Sequence, residues 1–76
     1  MMAQVTKEMT FGELLMKYYD KCPQIVDDLM NAGMGCVGWP HSQMESIAEG
    51  AMGHGIDPDL LVAKLNATLT ANGVEA

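Results

Sequence analysis

Apolar residues along the N-terminal half recur every three or four positions, which is the spacing of helices with one buried face. The first such segment opens with Thr10-Phe11-Gly12-Glu13, a capping box in which a hydroxyl and a carboxylate accept from free backbone N–H groups of the first turn. We expect a helix from Thr10 and a second from Pro23, ended by Gly33. Their inner faces are predicted to carry Phe11, Leu14, Leu15 and Tyr18, and Ile25, Val26, Leu29 and Met30.

Two further helices are predicted in the C-terminal half. The third opens with a second capping box, Ser42-Gln43-Met44-Glu45, and stops at Gly53 and Gly55. The fourth begins at Asp57-Pro58 and ends at Asn72-Gly73. Their inner faces are expected to hold Met44, Ile47, Ala48, Ala51 and Met52, and the ridge Leu61, Leu65 and Leu69 flanked by Leu60 and Val62.

The whole pattern predicts an all-α fold, because no segment shows the strict alternation of a half-buried strand. We expect a compact bundle of four short helices with a glycine-rich, cysteine-bearing loop between the second and third. At 76 residues the chain is one domain, 1–76, with a thin core over about residues 6–70. Residues 1–5 and 74–76 are expected to be frayed.

The amino-acid composition indicates that methionine fills part of the core. The chain is 49% apolar with four aromatic residues, so Leu, Ile, Val and eight Met must fill the core. Unbranched thioethers also suit surfaces that re-pack against partners. Whether Met16, Met34 and Met52 lie in the core or at an interface therefore stays open.

The charge balance excludes several classes of partner. Ten acidic residues against four lysines and no arginine give a net charge of −6. This disfavours nucleic acid and anionic membrane surfaces, since both are bound through Lys and Arg. No stretch approaches the roughly 20 apolar residues of a membrane span, and the start lacks the apolar segment of a signal peptide. We expect a cytoplasmic protein with a protein partner, and a homodimer stays open.

The loop between the second and third helices is the candidate binding surface. Its glycines allow positive φ and close backbone approach, and a cysteine lies at its centre. Its glycine spacing matches G-x-G-x-x-G, but that fingerprint must follow a strand, so a dinucleotide site is rejected. A small anion-binding nest and a tight interhelical turn both stay open. The candidate residues are Gly33, Met34, Gly35, Cys36, Gly38, Trp39, Pro40 and His41.

Other chemistry built on the cysteines and histidines is disfavoured. Cys22 and Cys36 lie at opposite ends of a helix about 15 Å long, beyond the roughly 7 Å that a disulfide allows between Cα atoms. Zinc needs at least three protein ligands, and no Cys or His pair has ligand spacing, so neither a metal nor a cofactor is predicted. His54 is a neighbouring candidate, with helix capping as the simpler role. A nucleophilic enzyme built on Cys36 lacks room for a deep pocket.

Several short segments, in order, resemble the hybrid-cluster-protein-associated redox disulfide domain family, small helical domains of bacteria and archaea. The resemblance runs from about Thr6 to Leu69. It rests on Thr10-x-x-Glu13-Leu14-Leu15, Gly33-Met34-Gly35-Cys36-Val37-Gly38-Trp39-Pro40, Glu45-Ser46-Ile47-Ala48-Glu49, His54-Gly55-Ile56-Asp57 and Leu65-Asn66.

The resemblance implies a dithiol redox role and makes a redox protein a candidate partner. This chain departs from the sequence pattern on which that role depends. The usual loop of the family is Gly-Met-x-Cys-x-x-Cys-Pro, and Trp39 stands where the second cysteine should be. Without a resolving thiol, the chain cannot complete a dithiol cycle by itself. We therefore expect a non-enzymatic accessory or interaction module that works through loop Gly33–His41. A single-cysteine redox sensor or thiol-transfer protein using Cys36 is the alternative, and a metal or iron–sulfur site shared across a dimer is a third reading.

Overall fold

Four helices follow one another along the described part of the chain. The computed structural model describes residues 5–33 and 44–74. Within these ranges the one strand-like feature is an isolated antiparallel bridge between Thr10 and Ser46. The predicted all-α class with four helices is confirmed. The helices are α1 (Phe11–Tyr18), α2 (Gln24–Asn31), α3 (Ile47–Gly53) and α4 (Pro58–Ala71).

The predicted capping box fixes the start of α1. The Glu13 N–H donates to the Thr10 hydroxyl oxygen at 3.1 Å, and the Thr10 N–H donates to the Glu13 carboxylate at 2.9 Å. The two bonds satisfy backbone donors that the first turn cannot use itself. Phe11, Leu14 and Tyr18 are buried, so the predicted inner face is confirmed at these positions, while Leu15 is half-buried.

The helix α2 begins one residue after the predicted Pro23 and ends as predicted. Gly33 follows its C-cap with a φ of 92°, a left-handed conformation that favours glycine. Ile25 and Leu29 form the buried face, with Val26 half-buried beside them. The prediction that Met30 faces inward is wrong, because its side chain lies in solvent.

The start of α3 differs from the prediction by four residues. The capping box is Ser46 with Glu49, not Ser42 with Glu45. The Phe11 N–H donates to the Glu45 carbonyl at 3.1 Å, and the Ile47 N–H donates to the Met9 carbonyl at 2.8 Å. Backbone groups paired with another segment in this way are not available for a helix. The helix therefore begins after Ser46, whose backbone is extended.

Only part of the apolar face predicted for the third helix is buried. The predicted inner-face positions Ile47 and Ala51 are buried, and Ala48 is half-buried. Met44 is exposed, so the expectation that it lies on the apolar face is wrong. Met16 and Met52, which the sequence left open, are also exposed, while Met9 is half-buried against the core.

The capping serine of α3 provides a test of this helix start. Replacing Ser46 with alanine removes the oxygen that accepts from the Glu49 N–H at 3.0 Å. We expect a loss of about 1 kcal/mol in the free energy of unfolding, measured by urea denaturation. Ser42→Ala, at the predicted cap, is expected to change stability by less than about 0.5 kcal/mol. A larger loss at Ser42 than at Ser46 would contradict the observed start.

The helix α4 has the start, ridge and end that the sequence predicts. The Asp57 carboxylate accepts from the Asp59 N–H at 2.9 Å, and Pro58 occupies the first turn. The ridge Leu61, Leu65 and Leu69 is buried and packs between α2 and α3, while Leu60 is exposed and Val62 half-buried. Asn72 is the C-cap, followed by Gly73 with a φ of 75°.

The core reaches beyond the predicted range of residues 6–70. Val5, expected to be frayed, and Val74 are both buried. The Asn66 side-chain amide accepts from the Val5 N–H at 2.8 Å and donates to the Val5 carbonyl at 3.1 Å, which ties the N-terminal segment to α4. The Thr68 hydroxyl donates to the Asp28 carboxylate, joining α4 to α2. The buried hydrophobic residues of the described core are Val5, Phe11, Leu14, Tyr18, Cys22, Ile25, Leu29, Ile47, Ala51, Leu61, Leu65, Leu69 and Val74.

Candidate functional site

The predicted binding loop lies between α2 and α3. Of its candidate residues the structure places Gly33, and the segment from Met34 to His41, with Cys36 and Trp39, lies outside the described residues. The Gly33 N–H donates to the Met30 carbonyl at 3.0 Å, and among the described residues that are not its neighbours along the chain, none comes within 4 Å of the position that a Cβ would take. Its positive φ, rather than crowding, is therefore what requires glycine where the loop begins.

A solvent-exposed methionine lies in each of the described segments that flank this loop. Met30, in the last turn of α2, is 57% exposed, and Met44, the first residue described after the loop, is 82% exposed. Exposed apolar side chains are common singly on protein surfaces. Along the chain these two methionines flank the loop, three residues before Gly33 and three residues after His41.

The neighbouring candidate His54 lies beyond the last turn of α3. Its Nδ1 is 2.8 Å from the Gly50 carbonyl oxygen. Since a carbonyl only accepts, Nδ1 carries the proton and donates, which leaves Nε2 as the acceptor of the neutral ring. The expected capping role of His54 is therefore confirmed, because the ring satisfies a carbonyl near the end of the helix.

The cysteine Cys22 is a buried residue of the core, between α1 and α2. Its side chain is fully buried in the core. Its N–H donates to the Tyr18 carbonyl at 2.8 Å, and its carbonyl accepts from the Ile25 N–H at 3.2 Å. These bonds connect the end of α1 to the start of α2. A thiol enclosed in this way behaves as a small hydrophobe, out of reach of a redox partner.

Charged and metal-binding groups are dispersed over the described surface. Across residues 5–33 and 44–74, no three His, Cys, Asp or Glu side chains are grouped so that they could hold a metal ion. Lys7 and Asp59 form an exposed ion pair at 3.4 Å. A pair of this kind contributes roughly 0–1 kcal/mol. Within residues 5–33 and 44–74, the acidic, cysteine and histidine side chains are therefore not assembled into a metal site.

The exposed methionines are the part of this site that sequence reasoning missed. Hydrophobic periodicity assigned Met30 and Met44 to buried faces because a thioether satisfies the same spacing as a leucine. One signal was present: Ser46-Ile47-Ala48-Glu49 also has the capping-box pattern, and a helix that begins after Ser46 leaves Met44 outside it.

Comparison with known proteins gives a family and a fold. No helix in the described ranges is long and apolar enough to cross a membrane. A family model, described as a domain of unknown function (DUF1858), matches residues 5–62. The solution structure of an uncharacterised protein from Methanocaldococcus jannaschii is similar over 93% of this chain and 92% of that chain, with 31% sequence identity and a TM-score of 0.79. No curated protein matches the chain.

Proposed function

We propose that this chain, which belongs to the DUF1858 family of domains of unknown function, is a non-enzymatic interaction module that binds a protein partner through loop Gly33–His41. The observation that carries the proposal is the exposure of Met30 and Met44 at the two ends of that loop. Methionine side chains adapt their shape to a partner at small strain, which suits them to a contact surface.

The anchoring of the loop base supports the same role. Gly33 is held by its hydrogen bond to Met30, and residues 45 and 47 are held by backbone bonds to residues 9 and 11. Gly33 is thus tied to the last turn of α2, and residues 45 and 47 to the segment at which α1 begins. A rigid base limits the conformational entropy that a loop loses when it binds.

The sequence of the loop supports binding over turnover. Trp39 replaces the second cysteine of the resembled redox loop, and Cys22 is buried, so neither supplies an accessible resolving thiol for Cys36. Tryptophan is among the residues that most often dominate the energy of a protein interface. The sequence leaves two roles for Trp39, a ring that covers the thin core under the loop and an exposed anchor at an interface. The proposal takes the second, with Cys36 in a supporting position.

Site-specific crosslinking tests the proposal. Benzoylphenylalanine placed at Trp39 is expected to capture a protein in cells, while the same group at the exposed Met16 of α1 is expected not to capture it. With that protein purified, Trp39→Ala should weaken binding by about tenfold or more. Met30→Ala should weaken it less, and the matched control Met16→Ala should leave it within about twofold.

The same experiment separates the redox alternative. A complex isolated without photocrosslinking that disappears with a thiol reductant and with Cys36→Ser would favour a single-cysteine thiol-transfer role. Binding that survives Trp39→Ala at full affinity would contradict the proposed surface. Sustained reduction of a small disulfide by the purified domain and a thiol reductant would contradict the non-enzymatic assignment.

A further inference from the structure

A shallow depression of about 290 Å3 lies where α1 gives way to α2. Tyr19, the C-cap of α1, is 51% exposed, so much of its ring is available to a ligand. Asp27 is an exposed carboxylate in the first turn of α2. The depression is lined by Tyr19, Pro23, Gln24, Val26 and Asp27.

This lining combines two features that recognise a cation. An aromatic face attracts a positive charge through its quadrupole, and a carboxylate pairs with the same charge. A guanidinium satisfies both, because it is planar, stacks on rings and binds carboxylates in a two-pronged fashion. The amide oxygen of Gln24 adds a further acceptor, and Pro23 and Val26 give apolar surface for the methylene stem.

We infer that this depression binds an arginine side chain of a partner protein, with the guanidinium between the Tyr19 ring and the Asp27 carboxylate. The chain itself contains no arginine, so a second copy cannot supply the group. Its net charge of −6 favours the approach of a basic partner surface. The negative charge thus favours a basic occupant, and the absence of arginine from this chain means that a different protein supplies it.

The arginine site is separate from the proposed binding loop. Pro23 precedes α2 and Gly33 follows it, and a helix of eight residues is about 12 Å long. The depression is therefore at one end of α2 and the loop begins at the other. A partner that bridges the helix would contact both, while a test with a free arginine derivative needs no partner at all.

An NMR titration tests the inference directly. N-acetyl-arginine amide is added to 15N-labelled protein, and N-acetyl-citrulline amide, which has nearly the same shape without the charge, serves as the control ligand. We expect saturable shifts of the amide signals of Tyr19, Gln24 and Asp27 with the arginine derivative only. The shifts should shrink at higher ionic strength, because an exposed pair is screened.

Matched variants identify the groups responsible. Asp27→Asn should weaken binding by about two- to fivefold, the range of an exposed ion pair. Glu8→Gln makes the same change in net charge at an exposed position outside the depression and should leave affinity within about 1.3-fold. Tyr19→Leu keeps an apolar side chain but removes the ring, and should also weaken binding by at least about twofold.

Three results would overturn the inference. Equal shifts with the citrulline derivative would remove the role of charge, and equal losses in Asp27→Asn and Glu8→Gln would reduce the effect to general attraction. Full affinity in Tyr19→Leu would exclude the ring. A thermal scan of each variant confirms that it is folded, and if Asp27→Asn unfolds, the Tyr19→Leu and citrulline comparisons decide the outcome.

Discussion

Replacing Leu65 with alanine is expected to lower the free energy of unfolding by about 2–5 kcal/mol. Leu65 has no exposed surface and lies at the centre of the ridge by which α4 packs against α2 and α3. The substitution removes buried methyl groups and leaves a cavity that the surrounding side chains fill only in part. Because a small domain has roughly 5–15 kcal/mol of stability in all, this single change removes a large share of it.

The neighbouring residue Leu60 makes a matched control on the same helix. It is 69% exposed, so Leu60→Ala removes little buried surface and should change stability by less than about 0.5 kcal/mol. Urea denaturation followed by circular dichroism measures both variants. With a slope near 1 kcal/mol per molar urea, Leu65→Ala should shift the midpoint by about 2 M or more. Similar losses for the two variants would mean that the ridge is not the packing face of α4.

The ends of most helices were predictable because their signals are local. Thr10 with Glu13, Asp57 with Pro58, and Gly33 and Gly73 each act on backbone groups within a few residues. The start of α3 was not predictable in this way. Two capping boxes lie four residues apart, and hydrogen bonds to residues 9 and 11 decide between them.

The extent of the core and the exposure of the methionines also depend on distant contacts. Val5 resembles a free end in sequence, yet it is held by Asn66, 61 positions away. Periodicity predicted Leu65 and Ile25 correctly, since each is apolar and branched, but the same spacing misassigned Met30. The candidate loop was predicted from composition, and the binding role of its residues from Met34 to His41 stays a prediction.

The second large effect is expected at Asn66, whose side chain bonds both backbone groups of Val5. Asn66→Ala leaves a donor and an acceptor of this part-buried segment without these partners, which costs about 1–3 kcal/mol. Alanine favours the helix more than asparagine does, and this offsets up to about 0.7 kcal/mol of the loss. We expect a net loss of roughly 1–2 kcal/mol, with faster hydrogen exchange of the Val5 amide.

Two control variants separate the effect of the Asn66–Val5 hydrogen bonds from effects on the helix α4. Asn72→Ala removes an exposed side-chain bond of 2.8 Å to the Thr68 carbonyl at the end of α4, and should cost less than about 0.5 kcal/mol. Asn66→Asp keeps an acceptor for the Val5 N–H but places a carboxylate oxygen against the Val5 carbonyl, so it should destabilise at least as much as alanine. An Asn66→Asp variant as stable as the original protein would contradict this account, because the bond from the Asn66 amide to the Val5 carbonyl would then contribute nothing.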